Sequence, residues 1–94
     1  MSSNKIRTGI GLALIGCGDI GKARAQFARM YPAVEWIGVC DVNIELAKLL
    51  AEEIHADFVT NDVSELLSRS ELNAVIIATN ETAHFIPVSL AIER

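Results

Sequence analysis

Three glycines near the start of the chain stand at a spacing that suits phosphate binding. They form G-x-G-x-x-G in the segment Gly16-Cys17-Gly18-Asp19-Ile20-Gly21. In this spacing the first glycine makes a tight turn, the second lets the backbone approach a pyrophosphate, and the third lets a helix pack closely on a strand. Amide groups at the start of that helix would face the phosphates. Because glycine-rich turns are common, the hexapeptide alone leaves a dinucleotide and an adenosyl ligand both open.

An acidic residue follows the glycines at the distance that a dinucleotide site requires. Asp41 lies 20 residues after Gly21, at the end of a second apolar run. A carboxylate there accepts hydrogen bonds from the hydroxyls of the adenosine ribose. It would repel a ribose 2′-phosphate, and Val42 and Asn43 bring no positive charge. The pair of motifs therefore predicts NAD as the cofactor, with NADP disfavoured. The alternative is that Asp41 only ends a strand.

Polar residues after the last apolar run could form a second wall of the same site. Thr79 and Asn80 have a hydroxyl and an amide that could reach the ribose or the nicotinamide, or could equally cap a following helix. His84 could act as a donor or proton carrier, although a lone histidine is more often structural. The predicted cofactor-binding residues are Gly16, Cys17, Gly18, Asp19, Ile20, Gly21, Asp41, Thr79, Asn80 and His84. We predict no catalytic residue and no metal ligand within the chain.

Alternating apolar strands and helical patterns would position these residues. Nearly continuous apolar runs, typical of parallel strands covered on both faces, cover 10–15, 34–40, 57–59 and 73–79. Helical patterns lie between them, and a fourth is predicted from about Ala83. The order β-α-β-α-β-α-β-α predicts an α/β fold, a Rossmann-like doubly wound parallel sheet with strand order 3-2-1-4. Its winding reverses between the first and fourth strands, where a crevice opens at their carboxyl ends.

Composition limits the domain count and the classes of partner. The 94 residues suit one domain over 1–94, with 1–9 as a loose leader. A net charge of −4 without a basic cluster argues against nucleic acid and against an anionic membrane surface. No run approaches the roughly 20 apolar residues of a membrane span. Lys5, Arg7 and Leu14-Ile15-Gly16-Cys17 resemble a lipoprotein signal, but the apolar core is short and glycine-interrupted, so we expect a cytoplasmic protein.

The apolar content predicts contacts with other chains. Hydrophobic residues make up 51% of the sequence, which is high for a small domain. If the fourth strand lacks a neighbour, its edge would offer unpaired backbone groups to another copy. We therefore expect a homo-oligomer. The two cysteines have neither metal-ligand nor disulfide spacing and read as small buried residues at strand ends.

These motifs together resemble a known family of enzymes. Residues 15–21, then Gly38-Val39-Cys40-Asp41, then Ile77-Ala78-Thr79 followed by His84 resemble the amino-terminal domain of the glucose-fructose oxidoreductase and inositol dehydrogenase (Gfo/Idh/MocA) family. The resemblance implies NAD(P)-dependent oxidation or reduction of a hydroxyl or carbonyl group on a sugar, cyclitol or similar small molecule. One departure is that the family commonly has proline after Thr79, where this chain has Asn80.

A second departure concerns catalysis. The family's Glu-Lys-Pro motif, whose lysine assists proton transfer, does not occur in these 94 residues, and neither does the domain that forms the substrate pocket. We therefore expect a truncated cofactor-binding domain that is inactive alone, with a small-molecule substrate only in a full-length protein. Two alternatives stay open: a non-catalytic NAD-sensing or regulatory module of the same fold, and a different ligand such as flavin or an adenosyl donor.

Overall fold

A computed structural model describes residues 9–79 and 82–87, and the side chains of residues 9–78. Its strands are β1 (Ile10–Ile15), β2 (Val34–Cys40), β3 (Phe58–Thr60), β4 (Ala74–Thr79) and β5 (Thr82–Pro87). Its helices are α1 (Asp19–Arg29), α2 (Ile44–Ile54) and α3 (Val63–Leu67). The predicted leader lies almost wholly outside the described residues. None of the described helices is long and apolar enough to cross a membrane.

The strands form one sheet in the order β3-β2-β1-β4-β5. The first four are parallel, which confirms the predicted order 3-2-1-4. Strand β1 lies in the middle, and its last residue Ile15 pairs with Cys40 on one side and with Ile77 on the other. Because these strands are parallel, the carboxyl ends of β1, β2 and β4 meet at one edge of the sheet.

The predicted fourth helix is wrong. From Thr82 to Pro87 the chain forms a strand that runs antiparallel to β4, with Thr79 opposite Thr82 and Ala74 opposite Pro87. Phe85 and Ile86 belong to residue types that favour strands, and proline is tolerated in an edge strand, where no neighbour needs its missing N–H. Strand β5 covers the edge of β4, so the edge through which we expected self-association is not available.

Two apolar layers cover the sheet, which explains why its strands have unbroken apolar runs. On one face α1 and α2 pack over Leu14, Ile37 and Val39. On the other face α3 packs through Leu66 against a cluster that includes Trp36. Both predicted helix caps are confirmed at the start of α2 and α3. The Asn43 side chain accepts hydrogen bonds from two amides of α2, and the Asp62 side chain accepts one from Ser64.

An arginine holds the carboxyl end of α2 against α1 and β2. The Arg29 guanidinium donates to the carbonyl oxygens of Ile54 (2.9 Å) and His55 (2.7 Å) and lies 3.7 Å from the Asp57 carboxylate. Asp57 in turn accepts a hydrogen bond from the Ile37 amide at 2.9 Å. His55 ends the helix in the left-handed region, with φ of 55°. This conformation suits glycine better than histidine.

Replacing His55 should therefore stabilise the fold. We expect His55→Gly to raise the free energy of unfolding by about 0.5–1 kcal/mol, since the relief of left-handed strain exceeds the extra entropy that glycine loses. As a control, Lys48→Gly in the exposed middle of α2 should lower it by about 1 kcal/mol. Urea unfolding followed by Trp36 fluorescence measures both. A lower unfolding midpoint for His55→Gly would show that the histidine side chain stabilises this turn.

Candidate functional site

The glycine turn connects β1 to α1 and is fixed to the end of β2. Gly16 has φ of +101°, which side-chain-bearing residues rarely adopt. Its amide donates to the Cys40 carbonyl oxygen at 2.8 Å. A Cβ on Gly16 would also overlap the carbonyl oxygen of Ala78 in β4. The turn is thus held between the carboxyl ends of three neighbouring strands, at the predicted crevice.

The second and third glycines of the motif have different roles. A Cβ built on Gly21 would overlap the Gly16 carbonyl oxygen, so Gly21 is required by the close approach of α1 to β1. A Cβ built on Gly18 would meet no atom within 4 Å, and the φ of −76° at Gly18 is open to any residue. The fold therefore does not need a glycine at position 18. The open space in front of α1 is instead what close approach of a pyrophosphate requires.

The amino end of α1 offers donors to this space. The first helical hydrogen bond runs from the Lys22 amide to the Gly18 carbonyl oxygen at 2.8 Å, and none of the described side chains caps the helix. The amides of Asp19 and Ile20 precede that bond and have no partner within the helix, so the helix dipole and its free donors favour an anion. The Asp19 carboxylate is exposed in the first turn of α1, so only the backbone of Asp19 suits a phosphate.

The Asp41 carboxylate lies directly beside the turn. Its Oδ2 accepts a hydrogen bond from the Cys17 amide at 2.7 Å, and its Oδ1 accepts one from the Asn43 amide at 2.8 Å. The structure therefore brings together the two motifs that are 20 residues apart in sequence. A carboxylate oxygen with one N–H partner still has acceptor capacity for a hydroxyl.

An apolar slot next to Asp41 was missed by the sequence reasoning. It has a volume of about 140 Å³ and is lined by Ile15, Gly16, Cys40, Asp41, Val42 and Val63. Val42 is 88% exposed and Val63 is 38% exposed, although both are apolar. Their exposure beside Asp41 suits a flat ring such as adenine. The sequence feature that could have revealed the slot is Val42 directly after Asp41, together with Val63 directly after Asp62.

The predicted second wall is only partly described. Thr79 ends β4, and Asn80 and the side chains of Thr79 and His84 lie outside the described residues. His84 lies in β5 and pairs with Ile77 of β4, so β4 separates His84 from β1. We predicted His84 near the start of a helix, but it lies within a strand. A cofactor role for these three residues stays a prediction.

The two cysteines contribute packing and backbone groups. Both thiols are free and buried, as predicted. Burial raises the pKa of Cys17 from 9.0 to about 12, and the nearby Asp41 carboxylate adds to this effect. Burial also raises the pKa of Cys40. A neutral, buried thiol is a poor nucleophile. Among the described residues, no group of three potential ligands could hold a metal ion.

Comparison with known sequences gives one family match. A sequence-family model described as the oxidoreductase family with an NAD-binding Rossmann fold (GFO_IDH_MocA) matches residues 10–94. No curated protein matches the chain by sequence. The sequence-family match covers both the glycine turn and Asp41.

Several solved structures resemble the chain in fold and, more distantly, in sequence. GenD2 from gentamicin A biosynthesis, in complex with NAD, is 25% identical with a TM-score of 0.72, over 84% of this chain and 23% of its own. Levoglucosan dehydrogenase with NADH and L-sorbose is 26% identical with a TM-score of 0.63, over 77% and 21%. A mutant 3-ketoreductase from Actinomadura kijaniata, with TDP-benzene and NADP, is 28% identical with a TM-score of 0.63, over 73% and 22%. The chain spans less than a quarter of each of these proteins.

The thiol burial predicts slow chemical labelling. We expect iodoacetamide at pH 8 to leave both cysteines unlabelled in the folded chain and to label both in urea, as read by mass spectrometry. Between pH 9 and 12 the unfolded Cys17 loses a proton that the folded one keeps, so the free energy of unfolding should fall as pH rises through this window. Cys17→Ala should reduce that fall. Equal labelling rates with and without urea would contradict the burial.

The two glycines allow a matched test of fold against binding. We expect Gly18→Ala to change the free energy of unfolding by no more than about 0.5 kcal/mol, because the added methyl meets open space. It should weaken NAD binding at least tenfold, because the added methyl would occupy the space that a bound pyrophosphate needs. Gly21→Ala should instead destabilise the fold. Urea unfolding and calorimetric titration separate the two effects, and unchanged NAD binding in Gly18→Ala would contradict this placement of the pyrophosphate.

Proposed function

The chain belongs to the Gfo/Idh/MocA family of NAD-binding oxidoreductases, and we propose that it holds NAD for an enzyme acting on a hydroxyl or carbonyl group of a sugar, cyclitol or similar small molecule. The observation that carries the proposal is the contact between the glycine turn and Asp41. A helix amino end with open space before it and a carboxylate 2.7 Å from the Cys17 amide lie at one edge of the sheet. Each suits a different part of a dinucleotide.

The residues fit NAD part by part. The amides of Asp19 and Ile20 would bind the pyrophosphate, with Gly18 leaving room for it. The Asp41 carboxylate would accept hydrogen bonds from the adenosine ribose hydroxyls, and Val42 and Val63 would contact the adenine ring. Bound NAD supplies the capacity to accept a hydride from a carbon atom. This chain's own contribution is to bind the cofactor and to orient it by its adenosine end.

The charges around the slot favour NAD over NADP. The lining residues include the Asp41 carboxylate and neither lysine nor arginine. Lys22 lies near the turn, but its ammonium group is 3.7 Å from the Glu53 carboxylate. A 2′-phosphate would therefore meet a negative charge without a cation to balance it. Because one similar protein is crystallised with NADP, this choice depends on local residues and not on the fold.

The proposed substrate class is supported by the similar proteins. One of them is a levoglucosan dehydrogenase with L-sorbose bound, and another acts as a 3-ketoreductase. These 94 residues do not include a Glu-Lys-Pro motif, and what we propose for them is NAD binding. The regulatory alternative predicts the same binding. The sequence that follows residue 94 in any longer product would distinguish the two, since Glu-Lys-Pro there supports an enzyme. Cytoplasmic location and homo-oligomer formation remain parts of the proposal.

Calorimetric titration of the chain with four ligands tests the proposed function. We expect one NAD per chain, bound at least tenfold more tightly than NADP, and much weaker heats with S-adenosylmethionine and with flavin adenine dinucleotide. The same titration with an adenosyl ligand as the tightest binder would favour the adenosyl alternative. Tightest binding by NADP would overturn the role given to Asp41.

Cofactor preference should change with two substitutions at the slot. We expect Asp41→Asn combined with Val42→Arg to shift the ratio of NAD to NADP affinity by at least tenfold toward NADP, which corresponds to about 1.4 kcal/mol. The first change removes the repulsion, and the second adds a cation for the 2′-phosphate. Glu71→Gln with Ser70→Arg, which lie before the amino end of β4 at the opposite edge of the sheet, makes the same change of charge and serves as the matched control. An unchanged ratio in the slot variant would contradict the assignment of the ribose to Asp41.

A further inference from the structure

Asp41 makes a hydrogen bond to the glycine turn that its proposed contact with the ribose does not require. Its Oδ1 accepts from Asn43, two residues along the chain, which is a common local arrangement after a strand. Its Oδ2 accepts from the partly buried Cys17 amide, 24 residues away, at 2.7 Å. Ending β2 and starting α2 require only the first of these bonds. The second ties the turn to β2.

The described hydrogen bonds that link Gly16 and Cys17 to another strand all go to the end of β2 or to Asp41, which follows it. The Gly16 amide and the Cys17 thiol both donate to the Cys40 carbonyl oxygen, at 2.8 and 3.5 Å. The bond to Asp41 is the charged one of the three, and hydrogen bonds to a charged group are about twice as strong as neutral ones. It is also the last fixed point before Gly18, whose Cα faces open space. The direction in which the chain leaves Cys17 sets where the amides of Asp19 and Ile20 point.

The carboxylate can hold the turn and a ribose at the same time. Each carboxylate oxygen has two acceptor positions, and each has one amide partner here. A ribose hydroxyl therefore need not displace the Cys17 amide. The two ends of the adenosine diphosphate unit would then share one anchoring group.

We propose that Asp41 is also a positioning residue for the pyrophosphate-binding turn, acting through the Cys17 amide. This inference rests on the proposed binding of NAD. Its consequence is that Asp41 contributes to binding even when the ligand has no ribose hydroxyls for it to contact. Simple electrostatics predicts the opposite, because removing a negative charge near the phosphates should strengthen their binding. The sign of the effect therefore separates positioning from charge.

A cycle of two proteins and two ligands tests the proposal. The proteins are the unchanged chain and Asp41→Ala, and the ligands are NAD and its analogue with a 2′,3′-dideoxyadenosine ribose, titrated by calorimetry. We expect Asp41→Ala to weaken binding of the dideoxy analogue at least fivefold and binding of NAD by a larger factor. Asp41→Asn, whose amide oxygen can still accept from Cys17, should recover part of the affinity for the analogue. In the free protein, Asp41→Ala should also speed hydrogen exchange at the Cys17 amide.

Asp57→Ala provides the matched control, because the Asp57 carboxylate also accepts a hydrogen bond from a backbone amide distant in sequence, that of Ile37, but lines neither the turn nor the slot. It should leave the affinities for both ligands unchanged. If the unchanged chain binds no NAD, the proposed function itself fails. If it binds NAD, and Asp41→Ala binds the dideoxy analogue as tightly as the unchanged chain does, the positioning role is overturned while NAD binding stands. If Asp41→Ala does not fold, as judged by Trp36 fluorescence, Asp41→Asn decides the question: faster hydrogen exchange at the Cys17 amide together with unchanged affinity for the analogue would overturn the positioning role.

Discussion

The close contact of Gly21 with the Gly16 carbonyl oxygen determines how α1 leaves β1. A methyl group at Gly21 would overlap that oxygen and would also reach within 3.6 Å of the Ala78 side chain in β4. Without side chains at positions 16 and 21, the helix starts directly at the end of the central strand. The free amides of its first turn then face the edge of the sheet where β1, β2 and β4 end. The site on that edge follows from this packing.

Opposite charges meet at that edge in an order that suits one kind of ligand. The amino end of α1 is electropositive and favours a phosphate, whereas the Asp41 carboxylate favours hydroxyl donors and opposes a further phosphate. Exposed valines complete an apolar slot beside it. The described residues therefore suit the adenosine end of a dinucleotide. The side chains that would face the nicotinamide lie outside them, which is why the substrate class is supported by the family and not by this site.

Much of this arrangement could be predicted because it depends on local sequence. Continuous apolar runs identified the four parallel strands, and the glycine spacing and Asp41 predicted two motifs that the structure brings into contact. The segment after Thr79 could not be predicted in the same way. Its Thr82 and Pro87 suit a helix start by local rules, yet the pairing of Ile77 with His84 and of Ile76 with Phe85 favours a strand. Asn73 was also missed. Its side chain bonds the Gly11 amide at 3.0 Å and the Gly9 carbonyl oxygen at 3.2 Å, beside the start of β1, a tertiary contact that no periodicity reveals.

The central claim is that NAD binds at the glycine turn of this chain. Titration of the ¹⁵N-labelled protein with NAD, followed by two-dimensional ¹H–¹⁵N spectra, tests it most directly. The account predicts that the largest shifts occur at the amides of residues 17–21 and at Asp41, with Lys48 on the outer side of α2 unmoved. Saturable shifts confined to the apolar groove lined by Phe27 and Tyr31, or no shifts at millimolar NAD, would contradict it.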